Sequence, residues 1–181
     1  MSSRPSPPRR PLPAILGATA VAAALALPAA AQDLPTARAE LKDQQGRTVG
    51  NALLYETPAG VLLQASFAGL PAGVHALHIH ETGACEPSFE AAGGHLSPDG
   101  RSHGYLREDG PHTGDMPNIH VPETGNLQIE LMTLLDDMDA QLLDDDGAAL
   151  VIHAGADDYA SQPAGDAGSP IACGVIGRQG D

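Results

Sequence analysis

The feature that most limits how this chain can fold is its punctuation. Between residues 36 and 80, short runs of alternating apolar and polar character (36–41, 51–56, 61–67 and 74–80) are separated by turn signals at 43–46, 57–60 and 69–73. Each run is too short for a helix and long enough for a strand. The Gly, Pro and Asp clusters between them favour tight reversals. Strand-like runs resume at 116–121, 127–134, 149–153 and 171–176, the third entered through a hairpin signal, Asp144-Asp145-Asp146-Gly147. This spacing predicts an all-β domain, a sandwich or a barrel. The 21 Gly and 16 Pro suit that turn-rich plan. With aromatics at 3% and no Trp, the core must be built from Leu, Val, Ile and Ala.

Two stretches break the pattern. Residues 81–115 carry Gly, Pro, Ser, Asp and His with little that could form a core, and residues 154–170 form a second such loop. Long irregular loops inside a compact domain are uncommon and usually functional. Residues 136–146 are locally acidic, which predicts a solvated loop.

The N-terminus reads differently. Arg4, Arg9 and Arg10 precede an apolar run over 12–28, followed by Ala29-Ala30-Ala31. A basic start, an apolar stretch and small residues predict a signal peptide over 1–31, cleaved near Ala31, and a single domain over 32–181. The alternative is an uncleaved anchor, which the interruptions at Pro13 and Pro28 disfavour. Export would place the protein in the periplasm. Of the nine Lys and Arg, three lie in this leader, so six remain against 23 acidic residues, a formal net charge of −17. Such a surface has no basic patch to displace counterions from phosphates, which argues against nucleic acid or an anionic membrane as partner. In an oxidising compartment Cys85 and Cys173 are expected to pair; two free buried thiols are the alternative.

The chemistry lies in the histidines, at 75, 78, 80, 95, 103, 112, 120 and 153. Neutral imidazole is a common ligand for zinc and copper. His78 and His80 are two apart, so on a strand they project from one face towards one ion. His75 is an odd number of residues from His78 and should face the other way, as a structural residue hydrogen-bonded into the barrel. His95, His103, His112 and Asp115 offer three imidazoles and a carboxylate, a set that suits closed, structural zinc. His153 ends a late strand and could join His78 and His80; an all-nitrogen site favours Cu(II).

Taken together, "GVHALHIHE" at 73–81, Cys85, "GGHLSP" at 93–98, "SHG" at 102–104, "PHTGDMPNI" at 111–119, "LVIHAGADDY" at 150–159 and "GSPIACGVIG" at 168–177 resemble the bacterial, exported copper–zinc superoxide dismutases, in order and over nearly the whole mature chain. The resemblance implies an eight-stranded Greek-key β-barrel or sandwich with two long functional loops. It implies copper on His78, His80, His95 and His153, and zinc on His95, His103, His112 and Asp115. His95 would bridge the metals and serve as the catalytic proton carrier. Asp157 would link one copper histidine to one zinc histidine, and Cys85 would bond Cys173. His120 matches no ligand position and reads as an exposed strand residue. The substrate would be superoxide, and the assembly a monomer or a homodimer.

One departure stands out. The family's substrate-docking arginine lies three residues before the second cysteine; here that position is Pro170. Within the loops only Arg101 and Arg107 could take its place. Pro170 therefore keeps a second possibility open, a periplasmic copper- and zinc-buffering protein on the same fold.

Overall fold

The computed structural model describes residues 35–180. The expected leader lies outside those residues. The elements in chain order are β1 (Ala37–Asp43), β2 (Thr48–Thr57), β3 (Gly60–Phe67), β4 (Gly73–His75), β5 (Leu77–His80), β6 (Ile119–Val121), β7 (Leu127–Met132), α1 (Met138–Leu142), β8 (Ala148–His153) and β9 (Pro170–Arg178). A 3-10 turn at Phe89–Ala92 interrupts the first long loop. Seven strands form one antiparallel sheet in the order β5-β8-β9-β1-β2-β3-β7, and β4 pairs separately with β6. Neighbours far apart in sequence, β3 with β7 and β5 with β8, are the long returns that Greek-key connections create. The all-β expectation therefore holds.

The strand count needs one correction. The run 74–80 is not one strand but two, β4 and β5, parted at Ala76. There the backbone turns to other partners: Ala76 N–H donates to the Gly155 carbonyl at 2.8 Å, and His153 N–H donates to the Ala76 carbonyl at 3.0 Å. Counting the two as a single interrupted strand returns the expected eight. The run at 116–121 also shortens to β6, because Asn118 spends its groups on the second long loop.

Alternation builds the core. In β1, Ala37, Ala39 and Leu41 point inward; in β3, Val61, Leu63, Ala65 and Phe67 do so, with more accessible residues between them. One face of these strands buries apolar surface while the other meets water, as antiparallel sheets allow. The acidic segment 136–146 is not wholly a loop. It contains α1, whose N-cap Asp137 carboxylate accepts a bond from Ala140 N–H at 3.0 Å. Met138 and Leu142, four apart on one helical face, are buried in the core with Leu135. The acidic residues around them hide that apolar pair in the sequence. Consequently Asp144–Gly147 joins a helix to β8 and is not a hairpin.

β8 differs from β1 and β3, because all six of its residues are buried. Ala148, Leu150 and Ile152 face the main core, while Ala149 and Val151 pack with Ala92, Cys173, Cys85 and Phe89. The first long loop thus covers the outer face of β8. The Cys85–Cys173 disulfide fastens that cover to β9.

Candidate metal centre

β5 would be an open edge of the sheet. The first long loop closes it. Ile79 N–H donates to the Gly114 carbonyl at 2.9 Å, and Leu96 N–H donates to the Ile79 carbonyl at 2.9 Å. Isolated bridges match His78 with Asp115 and His80 with His95. Covering an edge in this way also prevents pairing with another chain. Gly114 permits the approach, since a Cβ there would lie 2.2 Å from the Ile79 carbonyl oxygen. The loop is therefore laid down in register, and its His95 and Asp115 arrive beside the two histidines of β5.

Six histidines and two carboxylates converge. His78, His80, His95 and His153 each bring a ligand atom within 4.8 Å of the others, and so do His78, His95, His103 and Asp115. His112 stands at the margin of the second group, its Nδ1 3.4 Å from Asp115 Oδ1. The ring centroids of His78 and His95 are 3.9 Å apart, which makes these two the hinge between the groups. His120 is exposed on β6, opposite Val74 in register. His75 is buried, and its ring faces the carbonyls of His153 at 2.9 Å and Pro71 at 3.0 Å. It supports the strand that carries His153.

Hydrogen bonds assign the protons. His80 Nδ1 donates to the Gly93 carbonyl at 2.8 Å and His153 Nδ1 donates to the Gly168 carbonyl at 3.0 Å. Each ring then presents a bare Nε2, and these two nitrogens face each other at 3.3 Å. Two lone pairs at that distance repel unless a proton or a cation lies between them. His78 donates from Nε2 to Asp157 Oδ2 at 2.8 Å, leaving its buried Nδ1 without a partner. His95 turns Nδ1 to Asp115 Oδ1 at 2.8 Å, leaving Nε2 likewise without a partner. Buried polar atoms are rarely left unpaired. Bare imidazole nitrogens at this density are the donor set of a nitrogen-liganded metal.

The second cluster has a different character. Asp115 Oδ2 accepts from the backbone N–H groups of Gly104 at 2.9 Å and His112 at 3.0 Å. Its Oδ1 meets three imidazoles, His95 at 2.8 Å, His103 at 3.0 Å and His112 at 3.4 Å. Three nitrogens and one oxygen turned to a common point suit four-coordinate zinc. Asp157 joins the clusters, taking His78 Nε2 on Oδ2 and His103 Nε2 on Oδ1 at 2.9 Å.

Burial sets the charges. It pushes the His78 pKa down to about 4 against the pull of Asp157, and with its histidine neighbours it pushes His80 down to about 3. Burial lowers His153 too. These rings are neutral at neutral pH, with lone pairs available. Burial also opposes charge on His103, but the Asp115 and Asp157 carboxylates outweigh it and hold that pKa up, at about 9. Burial would raise both carboxyls; hydrogen bonds from the histidines more than offset it and hold Asp115 and Asp157 well below the usual carboxylate range.

Residues 48–176 match the family model for copper/zinc superoxide dismutase. The chain belongs to the copper/zinc superoxide dismutase family. A copper–zinc superoxide dismutase of Aquifex aeolicus is 48% identical over 151 residues, 80% of this chain and 88% of that protein. The crystal structure of a superoxide dismutase-like protein from Bacillus subtilis superposes with a TM-score of 0.71 at 34% identity, covering 76% of this chain and 96% of that one. The copper/zinc superoxide dismutase of Brucella abortus gives 0.68 at 26% identity, covering 77% and 98%. Membership makes the chain a superoxide dismutase with copper and zinc as cofactors, and its histidine and histidine–aspartate clusters are the sites for them.

Within this superoxide dismutase, Pro170 opens β9 as the register partner of His153. A side chain at that position therefore stands beside His153. Of the two loop arginines, Arg101 bonds the Gly110 carbonyl and Arg107 forms an exposed pair with Asp109. Sequence reasoning missed the roles of Asn118, which lies in the run 116–121, and of Gln162, in the second long loop. Their amides grip the main chains of Asp157 and His103.

Proposed function

We propose that the protein is a periplasmic superoxide dismutase in which His78, His80, His95 and His153 hold copper and His95, His103, His112 and Asp115 hold zinc. The observation that carries this reading is the position of His95. Its Nδ1 is turned to the carboxylate cluster while its buried Nε2 has no partner beside the three copper-type histidines. A shared imidazole serves catalysis, whereas mere storage has no need of one. Export is supported by the leader pattern of residues 1–31 and by the disulfide, which belongs to oxidising compartments.

Copper bound there supplies alternating one-electron chemistry, Cu(II) oxidising one superoxide to dioxygen and Cu(I) reducing a second to peroxide, while zinc contributes no redox chemistry. The chain supplies order and protons. Asp157 fixes the tautomer of His78, and the Gly93 and Gly168 carbonyls fix those of His80 and His153, so that the required nitrogens stay bare. His95 Nε2 is the atom placed to hold a proton and pass it to the nascent peroxide.

Pro170 bears on rate. A unit charge about 5 Å from the substrate, at an effective dielectric near 20, contributes about 3 kcal/mol before screening. Without it the enzyme is expected to run roughly ten- to a hundredfold below an arginine-bearing counterpart. The net charge of −17 on the mature chain should also make its salt dependence weak or inverted. Pulse radiolysis of the metal-loaded protein and of Pro170→Arg tests this: the variant should be faster, and a diffusion-limited parent contradicts the account. Pro170 also favours the metal-buffering alternative. That alternative requires both metals to bind with no dismutation, and it fails if activity is present and is lost in His95→Ala at unchanged copper content.

A further inference from the structure

His103 is fully buried, and its ring is held at both ends by carboxylates, Asp115 on Nδ1 and Asp157 on Nε2. Its main chain is held as well. Gln162, on the second long loop, accepts from His103 N–H with Oε1 at 3.0 Å and donates from Nε2 to the His103 carbonyl at 2.9 Å. The same Nε2 reaches the Ala160 carbonyl at 3.1 Å, which fixes the amide to its own loop. A side-chain amide pairing with both main-chain groups of one residue copies a rung of β-sheet and defines position and rotation together.

The same device occurs again, with the same bonds, reaching back to the second long loop. Asn118, just before β6, donates from Nδ2 to the Asp157 carbonyl at 2.9 Å and accepts from Asp157 N–H at 2.8 Å. Gln162 therefore grips one partner of the Asp157–His103 contact and Asn118 grips the other. Between them Gly165, at φ 66°, closes over the contact; a Cβ there would fall 1.9 Å from Asp157 Oδ1 and 2.7 Å from His103 Nε2. Two loops distant in sequence are thus locked at the pair of side chains that connects the clusters.

We propose that Gln162 is a positioning residue for the zinc site: its amide sets the main chain of His103 so that Nδ1 stays beside Asp115 Oδ1, where the two would hold zinc together. This rests on the assignment of His103 to zinc. Gln162 is exposed, belongs to neither ligand cluster and lies outside the core, so its removal should leave the barrel intact. In its absence the ring of His103 keeps both carboxylates, while the main chain that carries it loses the two hydrogen bonds that fix it.

The test is zinc affinity of the purified protein by chelator competition, with the Co(II) d–d spectrum of the substituted zinc site as a second readout. Gln162→Ala, and the similarly sized Gln162→Met, should each raise the zinc Kd about tenfold, the lower end of what partners of ligands contribute. The cobalt band should shift, while the melting temperature of the metal-free protein stays unchanged. A merely structural role would lower that melting temperature and leave the cobalt band alone; this outcome overturns the proposal. So does parent-like zinc affinity in Gln162→Ala when His103→Ala has lost it. If His103→Ala itself binds zinc as the parent does, the ligand assignment falls and the clamp with it.

Discussion

The two flanks of the sheet differ in how many of their faces are covered. β3 alternates between the core and water, whereas β8 is buried throughout. The alternating flank is an ordinary half-wet sheet, and its residues serve the core alone. The covered flank carries a second apolar layer, a disulfide and every candidate ligand. Six imidazoles gather on this flank, and burial beneath the cover keeps those of His78, His80 and His153 neutral. The first long loop creates that condition. Stability and metal binding should therefore separate between the flanks.

The largest expected effect comes from uncoupling the cover. Cys85 and Cys173 are 88 residues apart, so replacing both with Ser should cost about 4 kcal/mol by loss of loop closure. Because the cover holds the loop that delivers His95, metal affinity should fall too. Thermal melts and metal titrations of the double variant measure both; a loss of stability with unchanged affinity would break the link between cover and site. Next in size is Leu54→Ala on the alternating flank. Leu54 is fully buried in the core, and its truncation should cost about 3 kcal/mol. Here the affinity of the folded protein for both metals should stay at the parent value, and a drop would show that the flanks are not independent.

The smallest effect sharpens the covered side. In the metal-free protein His103 keeps its second proton up to about pH 9. Zinc at Nδ1 must displace that proton, while Nε2–H stays with Asp157. Zinc affinity should then rise by up to about tenfold, or 1.4 kcal/mol, per pH unit below that value and level off above it. Proton release on adding zinc to an unbuffered solution reads this directly. The linked stability has a definite sign. The folded pKa lies above the ordinary 6.5, so the charged His103 stabilises the metal-free fold fully below 6.5, and that contribution is lost as pH rises through about 9.

The same division governs what could be read from the sequence. On the alternating flank, β2 and β3 were plain because one wet face writes a period of two into the sequence. His78 and His80 were legible for another reason, since residues two apart on a strand share a face even where, as in β5, both faces are buried, and His75 was separated from them. The interruption at Ala76 was not legible, since its cause is two hydrogen bonds to residues far along the chain, Gly155 and His153. α1 was hidden because Met138 and Leu142 are only two apolar positions among acidic neighbours. Asp157 came from a motif, whereas Asn118 lies in one, at 111–119, without a role assigned by it, and Gln162 lies in none: an amide that grips a distant backbone leaves no local trace.

The central claim is that two metals share His95 beneath the covered flank. Anomalous diffraction from crystals of the copper- and zinc-loaded protein, collected at both absorption edges, tests it most directly. The account predicts copper among His78, His80, His95 and His153, and zinc among His95, His103, His112 and Asp115, with the ring of His95 between them. Copper and zinc mixed at both positions, or a single metal with His95 bound on one side only, would contradict it.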